Sequence, residues 1–468
     1  MDRRDFAKNI ALATGTVSLG VFASCADNSK SNKGENEWVS EFEAGYAVSD
    51  DLAKRMYDKA LEITKSKVRG GDSEPFFKEP FIDAAFSPNI FLWDTCFMCC
   101  FAKYHIDELP VHQALDNFYG RMEDDGYICR EYRPNGEPLW GKDHPVSINP
   151  PLLAWAEWEI FRATGDVERL KEVYPTLLKN FDFHVNTYQM EDGLFYGDTL
   201  GMGMDNIPRS PRDWEPTEGS GLTHHELGDK LAAMNESAET KLDYFIAEYV
   251  KTRQGVWNKQ SRLVDFSAQM GMFALQLIGI AETIEQTDEV ERLKAFHSKL
   301  KDDLNTLCWS EEDKYYYDLG YGKQVVRRHI GAYWMLLGEL VPEDRMEPFL
   351  AYLKDPNEYY RLTPLPALSA ADPDYVGWGD YWLGGVWAPT SYMVLKGLES
   401  VGQDELAKDL AEKTYYAVAK VFEATGTFWE NYAPDLIAYG MPAKKDFCGW
   451  TALIPIAVYN EFINPQNT

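Results

Sequence analysis

Apolar residues recur at alternating spacings of three and four along most of this chain, a period that fits helices and not strands. Leu263, Phe266, Met270, Phe273, Leu277, Ile280 and Ile284 form one such seam along a single helix face. Comparable stretches run over 49–67, 91–106, 110–123, 149–164, 166–188, 222–252, 288–306, 327–340, 386–400, 402–423 and 447–463. Alternation of period two is short and scarce, as from Lys314 to Leu319. The fold class expected is therefore all-α.

Three places share a helix-stop, helix-start grammar. Thr164-Gly165-Asp166 offers glycine as a C′ residue and aspartate as the next N-cap. Thr287-Asp288-Glu289 and Val401-Gly402-Gln403-Asp404 resemble it. Tight turns at 166, 288 and 404, several helices apart, suggest hairpins wrapped into a ring and not a short solenoid repeat. Long loops over 125–148, 192–221, 355–385 and 424–446 are rich in Gly, Pro, Trp and charge. Loops of that length in a compact domain are usually functional, and all four would have to decorate one end of the ring to build a pocket. No linker is evident between 46 and 468, so one catalytic domain is expected there.

Residues 1–25 read as a targeting segment. Arg3-Arg4 precede the apolar stretch Ile10 to Phe22 in the manner of a twin-arginine signal. Phe22-Ala23-Ser24-Cys25 looks like a lipobox, with Cys25 as the lipidated residue. Residues 26–45 are polar and aperiodic, as a tether would be. No later segment is expected to be apolar for long enough to cross a membrane. The expected location is the periplasm or the cell surface, with the protein lipid-anchored.

A formal charge of −29 argues against nucleic acid and against a polybasic membrane contact. A neutral sugar is compatible with it. So are the 14 Trp and 27 Tyr, because the apolar face of a pyranose lies flat on an aromatic ring; the same rings also fill large cores. Cys96, Cys99 and Cys100 sit in a helical apolar run with no zinc-type partner pair, and read as small buried thiols. His224-His225-Glu226 lacks metal-site spacing. No cofactor is called for, and a structural calcium among loop carboxylates is compatible with the composition.

Two acidic residues stand out from 75. Asp205 lies in a glycine-lined bend, Gly201-Met202-Gly203-Met204-Asp205-Asn206, where the methionines would desolvate it and favour a protonated carboxyl. The other reading is an aspartate capping its own turn. Glu430 lies between Trp429 and Asn431-Tyr432, just beyond the helix stop at Gly426, where a solvated helix face does not explain it. Its other reading is a rim carboxylate.

These and five further segments, in this order, resemble the trehalase-like (α/α)6-barrel glycosidases, most closely glycoside hydrolase family 63. The segments are Phe91-Leu92-Trp93-Asp94, Asn149-Pro150-Pro151, Met204-Asp205-Asn206-Ile207-Pro208-Arg209, Pro366 to Tyr375, Tyr381-Trp382-Leu383-Gly384-Gly385-Val386-Trp387, Phe428-Trp429-Glu430-Asn431-Tyr432 and Gly449-Trp450. The resemblance covers residues 80 to the end. It implies an inverting α-glycosidase, by default an α-glucosidase, acting on an oligosaccharide or small glycoside. Asp205 would protonate the leaving oxygen while Glu430 activates water on the opposite face. Asp94 would bind sugar hydroxyls, with Trp93, Trp382, Trp387 and Trp450 as walls.

Two positions depart from the family pattern. Leu383 stands where Arg is frequent, so a charged contact is absent or supplied by Arg209 or Arg212. Ile207 stands where Ser is common. Two other readings remain: a sugar-binding lipoprotein without chemistry, and a uronide-acting hydrolase or lyase on the same barrel.

Overall fold

The computed structural model describes residues 45–71, 77, 79–84, 88–142, 148–199, 201–209, 261–447 and 449–465, with scattered positions between 230 and 244. The signal segment, Cys25, the tether through residue 44, Arg212, His224 to Glu226 and Cys448 lie outside them, as does most of the stretch 222–252.

Eleven α-helices and one last π-type helix carry the described fold: α1 Asp50–Ser66, α2 Leu92–Ala102, α3 Val111–Tyr119, α4 Leu153–Thr164, α5 Val167–Tyr188, α6 Val264–Thr283, α7 Val290–Leu307, α8 Trp334–Leu337, α9 Glu343–Lys354, α10 Ala388–Ser400, α11 Asp404–Thr425 and the last helix, Ile454–Ile463. They alternate between an inner and an outer layer. Going round the inner layer, α2 touches α4, α4 touches α6, α6 touches α8, and α8 touches α10. α10 then meets the 3-10 turn Thr451–Leu453 that leads into the last helix, and that turn returns to α2, closing the ring. The outer helices lie against it, α3 on α2, α5 on α4, α7 on α6 and α11 on α10. α9 is joined to the inner layer by the stacked rings of Tyr333 and Phe349, 4.6 Å apart. The ring is the (α/α)6 toroid expected from the sequence.

Burial explains the two layers. Every residue of α2 and α8 is buried, because an inner helix is covered on all sides. All seven residues of the seam from Leu263 to Ile284 are buried as well. α6 corrects one expectation: it is long and apolar enough to cross a membrane, but 83% of its most apolar window is buried in the core. α1 and α5 are one-sided and start at side-chain caps, Ser49 accepting from Leu52 N and Asp166 from Arg169 N. Gly165 ends α4 at φ 69°, the left-handed turn that lets α5 fold straight back. Helix α9 was not expected from the sequence; Pro348 and its short span obscured its period.

Buried charge closes one end of the ring. Lys103, at the end of α2, pairs with Glu159 of α4 (2.6 Å) and with Glu461 of the last helix (3.0 Å). Lys396 of α10 pairs with Glu461 (3.0 Å) and with Glu399. A cavity of about 350 Å³ beside them has Arg162, Glu159, Lys396 and Glu399 among its lining residues. All these groups sit in the second halves of their helices. The first halves meet at the other end, where Trp93 packs on Trp334 and Trp387 on Trp450.

Candidate active site

The loop that follows α5 and its short extension carries Asp205 across the starts of the inner helices. Met202, Met204 and Ile207 are buried and anchor it, while Asp205 is half-buried. Gly203 has φ 78°, and a Cβ there would lie 3.0 Å from the indole carbons of Trp93, so the loop can cross Trp93 only as glycine.

Tyr381 donates its hydroxyl to Asp205 Oδ2 at 3.1 Å. Burial, followed by the charges of Asp205, Glu430 and Asp94, pushes the phenol well above its ordinary range, so it stays protonated and remains a donor. Of the three candidate carboxylates, Asp205 is the one that Tyr381 holds directly. Asp380 and Tyr381 have φ of 42° and 65°, a left-handed backbone that non-glycine residues hold only under constraint. Asn206 provides that constraint. Its Nδ2 donates to Asp380 O (3.1 Å) and its Oδ1 accepts from Trp382 N (2.8 Å), gripping the chain on both sides of Tyr381.

Glu430 lies on a strand-like segment paired with residues 439–446. Its backbone N donates to Lys444 O and its Oε2 accepts from Lys444 N, each at 3.0 Å. Trp450 Nε1 donates to Glu430 O (3.0 Å), and Tyr439 stacks on the neighbouring Trp429 at 3.7 Å. Burial pushes the carboxyl up to about 7; Lys444 opposes the shift and Asp205 adds to it. Asp94 is in the first turn of α2, and burial lifts it well above the ordinary carboxylate range. Its Oδ1 and Trp93 Nε1 are buried with no hydrogen-bond partner, which marks them as groups awaiting one.

Three expected sugar contacts are corrected. Arg209 is buried and both its terminal nitrogens are engaged: it bridges Asp265 through Nη1–Oδ1 (3.1 Å) and Nη2–Oδ2 (2.5 Å), and Asp318 at 2.9 Å. His329 Nε2 lies 3.1 Å from the same Asp318 oxygen, so Arg209 is a strut tying the acid loop to α6 and to the strand Asp318–Gly320. Trp382 and Trp387 are 1% and 0% exposed and stack on each other, centroids 4.2 Å apart and planes at 4°. With their faces covered, they back Tyr381 instead of walling a sugar; Trp387 meets its ring edge-on at 5.0 Å. Trp93 and Trp450 keep slight exposure, 7% and 6%.

Tyr381 and Asn206 stand inside the family-like motifs, but nothing in a linear sequence ties 206 to 380–382. Cys96, Cys99, Cys100, Cys129 and Cys308 are free and buried, as expected of small core thiols. Among the described residues no three of His, Cys, Asp and Glu are placed to hold a metal ion.

Residues 87–446 match the family described as the mannosylglycerate hydrolase MGH1-like glycoside hydrolase domain. A probable mannosyl-oligosaccharide glucosidase of Schizosaccharomyces pombe is 32% identical over 417 residues, covering 78% of this chain and 49% of its own length. The chain thus spans about half the length of that relative. A crystal structure of the family 63 mannosylglycerate hydrolase of Thermus thermophilus with glucose matches with a TM-score of 0.64 at 18% identity, over 86% of this chain and 99% of that one. The neutral trehalase of Saccharomyces cerevisiae matches at 0.56 and 12% identity, over 85% and 80%. At such identities these two likenesses speak for the ring architecture alone.

Proposed function

The chain belongs to the MGH1-like glycoside hydrolases of the family 63 type, and from that premise we propose an exported, inverting α-glycosidase, most simply an α-glucosidase. Asp205 is its general acid and Glu430 its general base. The observation that carries the reading is one chain of contacts that joins the two carboxyl-bearing loops: Tyr381 donates to Asp205 Oδ2 and packs on Trp387, which packs on Trp450, whose Nε1 donates to Glu430 O. Glycoside cleavage by inversion needs two carboxyls across the scissile bond, one giving a proton and one taking it from water.

The residues divide the work. Asp205, its carboxyl held through Oδ2 by the Tyr381 hydroxyl, carries the transferable proton. That proton goes to the glycosidic oxygen as the C–O bond breaks, and the leaving group departs as an alcohol. Glu430 takes a proton from the water that attacks the anomeric carbon from the other face. A carboxyl with a pKa near 7 is a stronger base, once ionised, than one near 4.5. Asp94 Oδ1 and Trp93 Nε1 supply an acceptor and a donor for the sugar held between them. Twin-arginine export, lipidation at Cys25 and a periplasmic or cell-surface location belong to the same reading and rest on the first 25 residues.

The test is a panel of α-glycosides followed by NMR. Release of the β-anomer as first product is expected; first release of the α-anomer contradicts inversion. Asp205→Asn and Glu430→Gln should each lower kcat by about 10²–10⁴-fold with unchanged folding. A near-normal rate in either variant removes that residue from its role.

A further inference from the structure

The turn that holds Tyr381 also borders open space. A cavity of about 480 Å³ is formed by Asp374, Tyr375, Val376, Trp378, Asp380 and Leu383 together with Pro373 and Gly377. That volume falls within the roughly 300–1,000 Å³ of small-molecule sites. Trp378 is 44% exposed and is the one tryptophan among the exposed large apolar side chains of the described residues. Two others, Leu436 and Met441, belong to the adjoining loop, which is joined to this one by Met441 N donating to Trp378 O and Asp435 N to Gly377 O. An exposed indole in a built loop is an aromatic platform without a packing duty.

Its position gives the platform a role. Asp380 and Leu383 line the cavity and flank Tyr381-Trp382 in the chain, so the cavity and the phenol that holds Asp205 are built by the same turn. The acid stands beside the glycosidic oxygen, on the leaving-group side of the bond, whereas the base faces the sugar being released. We propose that this cavity is a leaving-group subsite, in which Trp378 stacks a neutral sugar ring of an oligosaccharide. The inference rests on the hydrolase reading above, with Asp205 as acid. Charge selects the class of occupant: the lining carries Asp374 and Asp380 and no Lys, Arg or His, and Leu383 presents an apolar side chain. Arg327 is already paired with Asp372 and Asp374, and Arg361 with Asp435. With Asp374 already paired with Arg327, a carboxylate-bearing leaving group would still meet Asp380 with no cation in the lining to offset it; a sugar hydroxyl meets an acceptor and its ring face meets an indole.

The experiment uses the full chain. The best-cleaved α-linked disaccharide of the panel is compared with its trisaccharide homologue, extended on the leaving-group side, and with the same glycone linked to glycerate. The trisaccharide should show about tenfold higher kcat/KM than the disaccharide. Trp378→Ala should erase that advantage through KM, and Trp378→Tyr should restore part of it. The glycerate conjugate should be cleaved no better than the disaccharide. An unchanged trisaccharide-to-disaccharide ratio in Trp378→Ala, or a preferred glycerate conjugate, overturns the subsite. If no glycoside is turned over, the hydrolase reading has failed on its own account. The subsite is then read by titrating the trisaccharide into the Glu430→Gln chain by NMR. Binding weakened about tenfold by Trp378→Ala supports it, and equal binding overturns it.

Discussion

Glu430 is a buried carboxyl in a site built of carboxyls, and its protonation is where stability and chemistry conflict. Its pKa in the folded chain is about 7, against an ordinary 4.5. Below 4.5 both folded and unfolded chains hold the proton, and burial of the neutral acid costs little. As pH rises from 4.5 to 7 the unfolded chain releases its proton first, so the folded state loses stability, on the order of 3 kcal/mol by pH 8. Glu430→Gln should therefore raise the melting temperature at pH 8 and change it little at pH 4.5. Equal shifts at both pH values would show that the carboxyl is not buried in this way. The same group sets the acid limb of the rate. A base must be ionised, so kcat/KM should fall as pH drops through about 7; a limb near 4.5 instead would detach Glu430 from that titration. At this scale the sequence marked Asp205 and Glu430 by their neighbours and Asp94 through the family resemblance. It did not mark Tyr381 and Asn206, whose importance lies in a grip between residues 174 to 176 positions apart.

Segments, not single residues, decide how the acid is presented. The loop 201–209 is pinned at one end by Gly203 against Trp93 and at the other by Arg209 between Asp265 and Asp318. Removing one member of a buried charge group leaves the rest unpaired, at a cost of about 3–5 kcal/mol. Arg209→Met should lower the melting temperature strongly, and among the variants that remain folded it should not change preference between glycosides. A changed preference with unaltered stability would return Arg209 to the sugar. Lysine should not substitute, because the bidentate fork to Asp265 needs a guanidinium. The sequence placed Arg209 near the acid correctly, but an arginine in an acid motif reads equally as contact or strut. Only the positions of 265 and 318 separate the two. The tryptophans behave alike: Trp382 and Trp387 lie in the expected motif, and their mutual stacking turns them from walls into backing.

For the whole molecule, closure of the ring matters most. Glu461, in the last helix, receives Lys103 from α2, Lys396 from α10 and the hydroxyls of Tyr104 and Tyr392. It joins the end of the ring to its beginning, far from the carboxylates of the active site. Glu461→Ala leaves two buried lysines without their shared partner and should cost about 3–5 kcal/mol. Thermal unfolding should show that loss, while kcat measured well below the transition stays near that of the unmodified chain. A melting temperature within a degree of the original would deny the cluster a role in closing the ring.

The helical class, the hairpin turns, the buried seam of α6 and the candidate carboxylates were all legible in order along the chain, because period, capping and short motifs are local properties of neighbouring residues. Family membership was legible for the same reason, as motifs in sequence. The tertiary structure alone decided which aromatic faces are covered, which arginine is already engaged, and which hydroxyl holds the acid. Those are facts about partners far apart in the chain. Burial and charge pairing depend on what the closed ring brings within a few ångströms, and no local pattern encodes that.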